Sequence, residues 1–162
     1  MNFTTCTRIA QARRSLIVAS LGAAVFACGK KEAVTWAVPS DPDAAVVSFL
    51  GAVRAEDLDA MGQLWGTSDG PAYDRMDREE LEQRLTVMMV YLEHEEYSIV
   101  SGVRDPTVAL RRGERLVTAR LTRRGCTPMV PFTVTPYQDG WLVRDVRLEA
   151  AGNPVRTCPT PP

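Results

Sequence analysis

Few residues in this chain are able to do chemistry, and each can be weighed by its type and spacing. The single histidine, His94, stands among Glu93, Glu95 and Glu96. A histidine beside carboxylates can act as a base, but one at the end of a helix more often sits on the surface and interacts with the helix dipole, and surface placement is the expectation. Gly66-Thr67-Ser68-Asp69-Gly70 spells G-x-S-x-G, the sharp turn that exposes a serine nucleophile. That turn needs a buried strand before the serine. This copy follows a short helical stretch and runs into Pro71, so turn chemistry accounts for it. Strand alternation places Asp145 on the same face as Trp141 and Val143, and Trp65 and Tyr91 are candidates to line the same cavity. A carboxylate base in such an apolar pocket would suit isomerase-like or dehydratase-like chemistry. Arg144 and Arg147 flank Asp145, however, and an ion-paired surface carboxylate is the simpler reading, so no residue is assigned as catalytic.

Metal and cofactor chemistry find little to use. One His and one available Cys pair cannot supply four transition-metal ligands, the carboxylates lack calcium-loop spacing, and no Gly-rich phosphate loop is present. No metal and no cofactor are expected. Cys126 and Cys158 lie 32 residues apart, which is not a redox C-x-x-C. Bridged in an oxidising compartment, they would fasten the C-terminal tail to the domain, contributing roughly 3–4 kcal/mol.

Charge is divided along the chain. Ser40 to Val100 holds 14 acidic and 4 basic residues, whereas Ser101 to Pro162 holds 10 Arg and 5 acidic residues. Arg111, Arg112, Arg115, Arg120, Arg123 and Arg124 concentrate around one expected hairpin, a candidate basic surface for an anionic polymer, a lipid headgroup or an acidic partner. The competing reading is that the acidic and basic halves neutralise each other within the fold. Nucleic acid is disfavoured by net acidity.

The N-terminus differs in kind from the rest. Residues 1–27 carry Arg8, Arg13 and Arg14, no acid, and an uncharged, mainly apolar run from Leu16 to Ala27, which has signal-peptide length and is too short to span a bilayer. The remainder carries 16 basic and 20 acidic residues, net −4. At the end of the run, Val25-Phe26-Ala27-Cys28-Gly29 resembles the lipobox of bacterial lipoproteins, although Phe26 occupies a place that is usually small. The resemblance implies cleavage before Cys28 and diacylation of its thiol. The protein would then sit in the cell envelope, lipid-anchored to a bacterial membrane and facing the periplasm or exterior. Ordinary cleavage after Ala27 would instead release a soluble protein. It would leave three cysteines, an odd number, and lipidation removes the odd thiol.

The elements that must position these residues follow from periodicity. Residues 28–40 read as a tether, 41–150 as one α+β domain and 151–162 as a Pro-rich tail. Asp41-Pro42 opens a helix to about Ala55, Asp57 caps a shorter one through Trp65, and Asp77 with Glu80 at capping-box spacing opens a third. In that third helix Leu81, Leu85, Met88 and Leu92 form one stripe. Strands are expected over Tyr97–Val103, Val108–Leu110, Arg115–Thr122, Thr127–Thr135 and Trp141–Leu148. The turns between them are Arg111–Glu114 and Asp139-Gly140, and prolines 128 and 131 suggest an edge strand or a bulge.

Three N-terminal helices followed by an antiparallel sheet of about four strands give an α+β class. DPDAAVVSFLGAVRAEDLDAMGQLW resembles the opening helix pair of the nuclear-transport-factor-2-like (ketosteroid-isomerase-like) superfamily, and DGWLVRDVRL resembles its final strand. That resemblance implies a curved sheet wrapped around helices as a cone with an apolar pocket, and it is compatible with a homodimer. A cystatin-like helix on a sheet is the alternative. The functional expectation is a non-catalytic, membrane-anchored binding module for an envelope protein, polymer or small apolar ligand. An isomerase-like or dehydratase-like enzyme and a purely structural lipoprotein are the other readings.

Overall fold

The computed structural model describes residues 37–155 except Arg104. Helix α1 (Pro42–Arg54) begins where the sequence signals it: the Asp41 carboxylate accepts the Ala44 N–H at 2.8 Å, and Pro42 occupies a position where a missing N–H costs nothing. Its periodic Val46, Phe49, Leu50 and Val53 are all buried. Asp57 caps α2 (Leu58–Leu64) through the Ala60 N–H at 2.9 Å. Asp77 caps α3 (Arg78–Leu92) through the N–H groups of Glu79 and Glu80, while the Glu80 carboxylate turns to Arg84 at 2.7 Å. Between α2 and α3, β1 (Gly66–Thr67) and β2 (Gly70–Pro71) close a small hairpin with Ser68 exposed in its turn. A Cβ on Gly66 would overlap the Gly70 carbonyl, so only glycine permits this approach.

The second half is one antiparallel sheet, β3 (Glu96–Val100), β4 (Arg115–Thr122), β5 (Met129–Tyr137) and β6 (Gly140–Val146), paired in chain order. The α+β class therefore holds. Three expectations need correction. Val108–Leu110 is not a strand, and β4 pairs with β3 instead. The intervening loop is held by side chains: Asp105 accepts the Thr107 N–H and hydroxyl, and Glu114 accepts the Arg111 N–H at 2.7 Å. Next, β5 is an interior strand and not an edge. Pro131 is tolerated because the β5–β6 ladder ends at the adjacent Phe132–Val146 pair, beyond which the Pro131 carbonyl accepts the Arg147 N–H. A bulge is present, but between Thr133 and Val134, where Arg144 is the extra residue on β6. The last strand stops at Val146, and Leu148–Ala151 forms a short helix, α4, that buries Ala151.

Arg124 and Gly125 both have positive φ, 47° and 76°, and form a tight two-residue turn between the bridged Arg123 and Cys126, with a twist that matches the strands. In the core, α1 packs across β4, β5 and β6, and Phe49 meets Phe132 edge to face at 6.5 Å. Helix α3 packs against α1, α2 and α4. Among the described residues, no helix is long and apolar enough to cross a membrane.

Candidate functional site

The two halves of α3 obey different rules. The first half carries the i,i+4 ion pairs Arg78–Glu82 (2.6 Å) and Glu80–Arg84 (2.7 Å), which support the helix from its solvated side. The second half reads Val87-Met88-Met89-Val90, apolar around a whole turn. With Leu85 and Leu92 facing inward, Val87 and Val90 remain 52% and 46% exposed. A groove or recess lies on each side of this segment.

The open groove toward β6 and α4 measures about 470 Å³ and is lined by Trp65, Val87, Met88, Val146 and Leu148, with Gln83, Arg84 and Asp145 supplying polar groups. Trp65 follows the end of α2, bridges to Val143 of β6, and donates its indole N–H to the Arg144 carbonyl at 3.2 Å. Its polar atom is thus satisfied and its ring is free to offer apolar surface. Asp145 is exposed. The bulge at Arg144 explains this: Val143 pairs with Val134 and Asp145 with the neighbouring Thr133, so Val143 and Asp145 lie on opposite faces of the sheet. A solvated carboxylate is not the desolvated base that the pocket chemistry required. Tyr91 and Trp141 are half-buried, and neither lines this groove. Only Trp65 and Asp145 of the four expected pocket residues come together.

The recess toward α1 encloses about 330 Å³ between the ends of α1 and α3 and is lined by Val53, Arg54, Glu56, Met89, Val90, Glu93 and His94. His94 is not a surface residue: it is 8% exposed, its Nδ1 lies 2.8 Å from the Leu92 carbonyl, and its ring meets Tyr97 edge to face at 5.3 Å. Burial holds the imidazole below its ordinary range and the nearby Arg54 charge adds to this, against the Leu92 hydrogen bond, which raises it. Among the described residues, its Nε2 is buried without a hydrogen-bond partner.

The six arginines do not form one surface. Arg123 is buried and donates to the carbonyls of Tyr91 (2.8 Å) and Ala151 (2.9 Å), tying α3 and α4 to the sheet. Arg124 pairs with Glu93 at 3.1 Å and reaches the Pro154 carbonyl. Arg111 and Arg112 lie in the loop before β4, and Arg115 opens that strand, about 30 Å of extended chain away from Arg124. Arg120 stands exposed between the two ends, on the strand itself. The acidic and basic halves of the sequence meet through Arg124–Glu93, while Arg144–Glu114 (2.6 Å) and Arg147–Asp105 (3.7 Å) join residues within the basic half.

Cys126 has a bonding partner and is not a titrating thiol. Cys158 and Cys28 lie outside the described residues. Among the described residues, no cluster of three or more His, Cys, Asp or Glu is arranged to hold a metal. Compared with known proteins, the chain matches no family model, no curated sequence and no solved structure. Sequence reasoning missed Val87, Leu148 and the buried Glu114. The signal for Val87 was available, since four consecutive apolar residues cannot all fit the inner face of a helix.

Proposed function

We propose that this protein is a lipid-anchored envelope lipoprotein whose domain binds a small apolar ligand without transforming it. The observation that carries the binding half is the groove beside α3: about 470 Å³, within the range that encloses a small molecule, walled by Trp65, Val87, Met88, Val146 and Leu148. Exposure of Asp145 at that groove favours binding over proton abstraction. The anchoring half rests on the sequence around Cys28, with residues 28–40 read as tether. The cone-like curvature of the nuclear-transport-factor-2-like superfamily and a Cys126–Cys158 bridge belong to the same reading. In it, Arg123 and Arg124, holding the carbonyls of Ala151 and Pro154, lead the tail back toward Cys126.

The test is titration with the naphthalene dye 1-anilinonaphthalene-8-sulfonate. The wild-type domain is expected to enhance its fluorescence saturably, with energy transfer from tryptophan, and Val87→Asp is expected to abolish that signal while leaving circular dichroism unchanged. No saturable signal in the wild type, or an equal one in a folded Val87→Asp variant, contradicts the reading.

A further inference from the structure

His94 has an acceptor that none of the described residues uses. The Leu92 carbonyl can only accept, so the Nδ1 contact at 2.8 Å places the proton of a neutral imidazole on Nδ1. Nε2 is then a bare lone pair, buried and without a partner among the described residues, and the edge-to-face contact with Tyr97 supplies no N–H or O–H to it. An unmet buried acceptor costs about 1–3 kcal/mol. The recess that His94 helps to line holds about 330 Å³, with Val53, Met89 and Val90 as apolar wall. Of the charged groups there, Glu93 is engaged by Arg124 at 3.1 Å, and the remaining two, Arg54 and Glu56, carry opposite charges. The recess is therefore close to neutral and lacks one donor. Met89 is unbranched and is the wall best able to move aside.

We propose that the recess between the ends of α1 and α3 binds an uncharged molecule with an apolar body and one O–H or N–H donor, which hydrogen-bonds to His94 Nε2. This site is separate from the groove on the other side of α3.

The chain has one histidine, so its imidazole nitrogens give unambiguous ¹⁵N resonances. Phenol is the probe, with anisole (the same ring without a donor) and benzoate (an anion) as comparisons. Phenol is expected to bind saturably, to shift the Nε2 resonance, and to bind roughly tenfold tighter than anisole, while benzoate leaves the resonance in place. In His94→Phe the preference for phenol over anisole is expected to vanish. The same loss is expected in the wild-type protein once acidification has protonated Nε2, which keeps the test open if the variant fails to fold. An Nε2 resonance that phenol does not move, or equal binding of phenol and anisole to the wild-type protein, overturns the proposal.

Discussion

Glu114 and His94 are both buried polar side chains, and the fold treats them oppositely. The Glu114 carboxylate, 3% exposed, accepts the Arg111 N–H through one oxygen and lies 2.6 Å from Arg144 Nε through the other. That second contact is an ion pair without the alignment of a hydrogen bond. Both oxygens are matched, so Glu114 locks the loop before β4 onto the bulge of β6. His94 has one nitrogen matched and one buried without a partner among the described residues, on a side chain that lines a recess. A saturated buried group is a fastening, whereas an unsaturated one is a vacancy in the hydrogen-bonding scheme that a ligand can fill.

That contrast breaks first at Glu114. Glu114→Ala leaves Arg144 without its counter-charge and is expected to lose about 3 kcal/mol in urea unfolding. Pairing it with Arg144→Met should recover much of the loss, and a single-variant loss below about 1 kcal/mol would show that the pair fastens nothing. Arg123→Met removes the donor to one buried and one part-buried carbonyl and is expected to cost about 2 kcal/mol. Hydrogen exchange should quicken first in α4, and uniform quickening would deny Arg123 its local role.

His94 gives a pH signature. Because its folded pKa is lowered, the unfolded chain binds the proton more readily, and His94 favours unfolding as protons are added. Its stabilising share is intact above about pH 6.5, declines as the pH falls through that value toward the folded pKa, and levels off below it. His94→Phe should flatten this part of the stability–pH curve while changing stability at neutral pH by no more than about 1 kcal/mol. A curve unchanged by the substitution would place the acid sensitivity elsewhere. The smallest effect belongs to exposed Arg120, whose replacement by Ala should stay within about 0.5 kcal/mol.

Much of the framework was legible because it is local. Asp41, Asp57 and Asp77 announce their helices by chemistry acting within three residues, and the Leu81–Leu85–Leu92 stripe fixes the inner face of α3. β4 runs over the residues that its pattern marks. What failed depends on distant partners. Pro131 signals an edge unless the ladder on its imino side happens to end there, which only the position of Val146 reveals. Asp145 changes face because of one extra residue, and no alternation rule anticipates a bulge. His94 looks solvated among three glutamates, yet it turns inward against Leu92 and Tyr97. The arginines cluster in sequence, but the strand that carries them separates its own ends.

Both the groove and the recess gain their meaning from where the domain is held. The most direct measurement is the mass of the N-terminal peptide from protein extracted out of bacterial membranes. The account predicts a peptide that begins at Cys28 and carries a diacylglyceryl group on sulfur. An unacylated N-terminus, whether at Cys28 or upstream of it, would contradict the anchored binding module proposed here.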